Sequence, residues 1–98
     1  MPPKTLTGVG AVMSAAHRDR EGALHGHTWE ITAWFDEGRC AVGLQQELVE
    51  HLKLFDHQVL GDEIAWGEAL GKRILVSLGC VKVEVSRPLE RIYAVVYA

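Results

Sequence analysis

The sequence predicts an α+β domain: two strands, two helices and two further strands in succession, giving an antiparallel sheet with both helices on one face. Three observations carry this. Apolar residues alternate near both ends of the chain, as in half-buried strands. In the middle they recur at helical spacing. The connections between strands are short, which makes neighbouring strands antiparallel and leaves the helices to cover one side.

The first strand is expected from Thr7 to His17, where Val9, Ala11, Met13, Ala15 and His17 share one parity. Arg18 to Glu21 and then Gly22 mark the connection. The second strand is expected from His27 to Phe35, with Trp29, Ile31, Ala33 and Phe35 alternating with Thr28, Glu30, Thr32 and Trp34. Asp36-Glu37-Gly38 ends it as a turn. Leu44, Leu48, Leu52 and Phe55 then lie on one side of a helix, and a second helix is expected from about Trp66 to Leu78, burying Leu70, Ile74, Leu75 and Leu78 and stopping at Gly79. Val81, Val83 and Val85 alternate with Lys82, Glu84 and Ser86 in a third strand, Arg87-Pro88 breaks it, and Arg91 to Tyr97 forms a fourth.

With 98 residues the chain reads as a single domain, residues 1–98. A core of this size is marginal alone, yet 48% of the residues are apolar. The combination predicts that some apolar surface is covered between subunits of a homo-oligomer. The formal charge is −3 and no basic stripe is present, which argues against a nucleic-acid partner. The least polar stretches, Gly8 to Ala16 and Ile74 to Val81, fall short of the about 20 residues of a membrane-spanning helix. The Met-Pro-Pro-Lys start has no apolar leader pattern, so a cytoplasmic location is expected. Cys40 and Cys80 share no metal-type spacing and read as reduced thiols.

Three of the five histidines are unusually placed. His25 and His27 are two apart and face the same way if the second strand already begins there. His17 ends the neighbouring strand, and the short connection brings it back beside them. Three imidazoles on one point are the ligand set of a catalytic metal site with a fourth position open. Gly26 is expected to let the backbone approach closely.

Asp56 and His57 follow the first helix. A carboxylate can orient an imidazole as a proton shuttle, though from the residues alone a helix-ending polar turn is the simpler reading. Glu84 lies opposite the valines of its strand, where an exposed residue paired with Lys82 is the simplest reading. Glu68, near a helix start, is favoured there by the helix dipole without any function.

The order Ala-Ala-His at 15–17, Leu-His-Gly-His at 24–27, Phe-Asp-His at 55–57, Glu68 and Val-Glu-Val at 83–85 resembles the 6-pyruvoyltetrahydropterin synthase family. That family includes the 6-carboxytetrahydropterin synthases of queuosine biosynthesis, and the resemblance covers nearly the whole chain. It implies the tunnelling fold, with sheets closed into a barrel, commonly as a hexamer built from two trimers, and sites at subunit interfaces. It implies Zn2+ on His17, His25 and His27, and a pterin substrate, 7,8-dihydroneopterin triphosphate. It also implies a relay of Asp56 and His57 and a pterin anchor at Glu84, with Glu68 a further substrate-binding candidate.

Where carboxytetrahydropterin synthases carry a catalytic Cys, four residues before His-Gly-His, this chain has Glu21. A branch linked to folate synthesis uses a Glu in this loop and cleaves the same substrate to 6-hydroxymethyl-7,8-dihydropterin, although its Glu matches the place of Gly22. Glu21 is thus the expected catalytic residue of a zinc-dependent lyase. A homologue that binds a pterin or purine-like ligand without turnover is the alternative. A small cupin-type barrel, suggested by His-x-His with Glu30 and Gly38, is a third reading.

Overall fold

The computed structural model describes residues 4–98, so most of the Met-Pro-Pro-Lys start read for a leader lies outside the described residues. Strands β1 (Leu6–Arg18) and β2 (Leu24–Asp36) form a long hairpin. Helices α1 (Ala41–Leu52) and α2 (Gly67–Leu78) follow, with a 3-10 turn at Asp62–Ile64 between them, and β3 (Lys82–Arg87) and β4 (Ile92–Tyr97) complete the chain. The four strands form one sheet in the order β1-β2-β3-β4, antiparallel throughout. This is the expected architecture, and its two helices remove the cupin-type reading.

Boundaries differ from expectation at places with identifiable causes. β2 begins at Leu24, three residues early, because His25 and Gly26 pair with His17 and Ala16 and continue the ladder. α1 ends at Leu52, and Phe55 lies in the turn beyond it, its amide bonded to the Leu52 carbonyl at 2.9 Å. Phe55 is still buried, so its apolar spacing reported burial rather than helix. α2 stops at Gly79, whose φ of 65° is open to glycine at little cost. Leu75 and Leu78, expected in the buried stripe of α2, are only partly buried. No described helix is long and apolar enough to cross a membrane.

The core fills the space between the helices and one sheet face. Trp29, Ile31, Val83 and Val85 from the strands meet Leu44 and Leu48 of α1 and Leu70 and Ile74 of α2, all fully buried. Each such side chain contributes about 1.5–3 kcal/mol by leaving water. α2 rides close to the sheet through Gly67 and Gly71, one turn apart. A Cβ on Gly71 would stand 3.0 Å from a Val96 methyl and 3.4 Å from a Val85 methyl.

The opposite face carries Val12, Tyr93, Val95 and Tyr97, all exposed. Lys82 lies over the rings of Trp34 and Tyr97, at 5.3 and 5.4 Å, rather than pairing with Glu84. The outer edge of β1 is partly covered by the segment after α1. Ser14 O accepts from His57 N, Ala16 N donates to Gln58 O, and Leu60 N donates to Ala16 O.

β3 is much shorter than β2 and pairs only with Glu30 to Trp34. The end of the β1–β2 hairpin that holds Arg18 and Leu24 therefore runs on past the rest of the sheet. The molecule measures 49 × 27 × 23 Å.

Gly71→Leu is expected to force α2 off the sheet and to cost about 1–3 kcal/mol, read as a lowered midpoint in chemical denaturation. The half-buried His51 ring, whose Nε2 has no hydrogen-bond partner among the described residues, has its pKa pushed below 6.5 by burial. Unfolding restores the usual value, so the unfolded chain takes the proton first as pH falls. The stability contributed is present above about pH 6.5 and lost below it. The metal-free protein should lose denaturation midpoint as pH drops through that range, and His51→Leu should flatten part of the decline.

Candidate metal centre

His17 and His25 are direct cross-strand partners, and His27 follows two residues along β2 on the same face. The register therefore gathers the three rings near the projecting end of the hairpin. Their centroids lie 4.7 to 4.9 Å apart. His17 Nε2 stands 3.1 Å from His25 Nε2 and 3.0 Å from His27 Nε2. One nitrogen from each ring falls within a 4.8 Å group able to hold a metal ion. The three histidines singled out in the sequence do converge.

What holds the rings decides which nitrogens carry protons. His17 is buried and donates Nδ1–H to the Ala65 carbonyl at 2.7 Å, since a carbonyl only accepts. Its edge packs against Trp29 and Trp66, and the Trp29 indole is itself fixed by donating to Ala15 O at 3.0 Å. His27 donates Nδ1–H to Glu90 Oε1 at 2.7 Å. That bond, above all, holds the Glu90 carboxyl below its usual range and so keeps it an acceptor. Burial pushes the His17 pKa down, against the pull of the Ala65 bond, with His27, His25 and Arg87 adding to the fall. His17 is therefore neutral near pH 7.

With both Nδ1 atoms protonated, His17 and His27 turn Nε2 lone pairs toward each other at 3.0 Å, and neither can donate to the other. His25 can donate to His17, and Arg87 Nη1 donates to His27 Nε2 at 2.9 Å, yet the lone-pair contact remains. A cation among the three nitrogens resolves it. Tetrahedral zinc with Zn–N bonds of 2.0–2.1 Å would place its nitrogens about 3.3 Å apart, close to the spacing found. The donor set fits a divalent metal of that class.

Two shallow cavities flank the centre. One of ≈ 570 Å³ is lined by His27, Glu90 and Gly26 together with His57. The second, ≈ 160 Å³, is lined by His17, Trp29, Trp66, Glu68 and Arg87 among others.

The remaining sequence candidates fall in different places. Asp56 Oδ2 meets His57 Nδ1 at 3.0 Å, and its Oδ1 accepts from Ser14 N at 2.9 Å. The Ser14 amide, then His57, holds the Asp56 carboxyl below its usual range. His57 is 80% exposed and has a φ of 59°, a strained value for a residue with a Cβ. Its backbone is pinned to β1 through Ser14. Glu68, exposed in the first turn of α2, lines the smaller cavity. Glu21 lies exposed in the β1–β2 connection, its amide bonded to Asp19 Oδ1, and lines neither cavity. Glu84 pairs in register with Thr32 and Val95, on the sheet face away from the histidines. A Cβ at Gly26 would meet nothing within 4 Å, so the close backbone approach expected there does not occur within one chain.

Sequence reasoning missed Glu90, Arg87 and the Ala65 carbonyl. Arg87-Pro88 read only as a strand break. No spacing rule ties a residue in the β3–β4 turn to a histidine sixty positions earlier.

No family model matches the chain, and no curated protein matches it in sequence. Among solved structures it is similar to the 6-pyruvoyl tetrahydropterin synthase of Caenorhabditis elegans, with a TM-score of 0.72 over 98% of this chain and 96% of that one, at 14% sequence identity. The four-stranded antiparallel sheet with its two helices is thus the tunnelling fold of that synthase, and at this identity the fold is what the likeness establishes.

Proposed function

We propose that the chain is a zinc-dependent lyase of pterin metabolism, acting in the cytoplasm on the side chain of 7,8-dihydroneopterin triphosphate, with His17, His25 and His27 as metal ligands. The observation that carries the reading is the convergence of His17, His25 and His27, whose ligand nitrogens form one group within 4.8 Å able to hold a metal ion. The shared fold with a pterin synthase supports the substrate class. Zinc held there would supply Lewis-acid polarisation of a substrate oxygen.

The chain's own residues supply the rest. The reaction is a retro-aldol cleavage: a base takes the proton of a side-chain hydroxyl, that C–O becomes a carbonyl as the neighbouring C–C bond breaks, and the released carbon is protonated. Asp56 fixes Nδ1–H of His57, leaving Nε2 to accept or return a proton at the cavity that also holds His27. Glu21 is the second base, taking the place of the Cys of related synthases. Glu68 contacts substrate from the smaller cavity.

Glu84, as anchor of the pterin ring, acts from the outer sheet face and so serves a site completed by another subunit. The exposed Val12, Tyr93, Val95 and Tyr97 on that face favour such an assembly, a hexamer of two trimers.

The second reading is a pterin- or purine-binding homologue without turnover. It is favoured by the exposed position of Glu21, outside both cavities.

Protein purified without chelators should carry one zinc per chain by mass spectrometry. Glu90→Gln, which weakens the hold on His27, should lower zinc affinity about 10–100-fold, and His27→Ala should lower it further. Incubation with 7,8-dihydroneopterin triphosphate should release 6-hydroxymethyl-7,8-dihydropterin, with His57→Ala or Glu21→Ala slowing turnover about 10²–10⁴-fold. Ligand binding without product selects the second reading. Absence of metal from the wild-type protein removes both the enzyme and its mechanism.

A further inference from the structure

We propose that Arg87 is a built-in competitor of the metal: guanidinium and ion claim the same lone pair of His27, so loading the centre requires the arginine to leave. The inference rests on the metal reading above and adds how this chain limits entry of the ion.

His27 has one nitrogen to offer. Its Nδ1–H is committed to Glu90 Oε1 at 2.7 Å, which leaves Nε2 with a single lone pair. Arg87 ends β3 with the parity of Val83 and Val85 and so reaches the face of the histidines. Its Nη1 donates to that lone pair at 2.9 Å, and the guanidinium carbon stands 5.7 Å from the Trp29 ring centroid. Among the described residues no carboxylate forms an ion pair with Arg87. The His27 nitrogen and the indole face are what hold its charge in place.

A lone pair serves one partner at a time. A metal takes His27 through the atom that Arg87 bonds, so the N–H···N contact and a metal–nitrogen bond exclude each other. Charge sharpens the exclusion. A guanidinium does not give up its proton, and in a half-buried place it repels a divalent cation beside it. An imidazole binds metal as the neutral ring and does not offset that repulsion. The displacement is a rotation of the side chain, because the turn that carries it is fixed. Glu90 N donates to Arg87 O at 3.1 Å, and Arg91 N donates to Pro88 O at 3.2 Å. The two neighbours of the His27 ring thus act in opposite directions: Glu90 favours the ion and Arg87 opposes it. The opposition falls equally on every divalent ion, so the order of affinities is kept and ions low in that order are shut out.

The test measures zinc affinity by competition with a chromophoric chelator for the wild type, R87M and R87Q. R87M removes both donor and charge. It should bind zinc about tenfold or more tightly than the wild type, the scale on which neighbours of a ligand ring act. R87Q keeps a polar tip without the charge and should fall between the two; it is read alone if R87M does not fold. In excess chelator R87M should show a lower denaturation midpoint than the wild type, because His27 loses a partner, and saturating zinc should close that gap. Unchanged or weaker zinc binding in the folded variants, the result for a residue that merely supports the site, would overturn the inference and leave the metal centre standing. Zinc bound by neither the wild type nor the variants would remove the metal centre and the inference together.

Discussion

The antiparallel register that sets His17 directly across from His25 is the constraint on which the centre depends. Side chains in a strand alternate between faces, so a slip of one residue would send His25 and His27 to the outer face and bury Thr28, Glu30 and Thr32 instead. The core forbids that slip. Trp29, Ile31, Ala33 and Phe35 are buried on the same face as the two histidines, and their combined loss to water would far exceed any gain from a shifted ladder. The apolar half of β2 thus aligns its polar end.

Around that alignment the structure adds neighbours that no strand or helix pattern announces. Ala65, just ahead of α2, supplies the carbonyl that sets the tautomer of His17. The β3–β4 turn returns Glu90 to His27 on one side and Arg87 on the other. His17 and His27 are thus oriented by groups from different parts of the chain. The small domain can therefore aim three imidazoles with a modest core.

The fold was legible because its signals are local. Alternation in Val9 to His17 and in Val81 to Val85, and leucines at helical spacing in Leu44 to Leu52, each report which side of an element is buried. The convergence of His17, His25 and His27 was legible too, since a short hairpin fixes both partners. Glu84 sits opposite Val83 and Val85, as the alternation indicated, on the other sheet face from the histidines. Arg87 and Glu90 were invisible because a turn's direction depends on how β3 twists against β2, which residue type does not encode. Phe55 misled the helix boundary for a related reason, as burial in a turn can continue a helical spacing.

The unequal strand lengths carry one more consequence. Beyond Glu30 the β1–β2 ribbon has no third strand on the β2 side, so its tip is held by the hairpin's own ladder, by the bonds of Ala16 to Gln58 and Leu60, and by the contacts of its histidines. An ion clasped there would tie both chains of the ribbon to Ala65 and to the β3–β4 turn at once. Loading the centre and ordering this extremity then become a single equilibrium, and the protein's resistance to unfolding would track the free metal concentration around it.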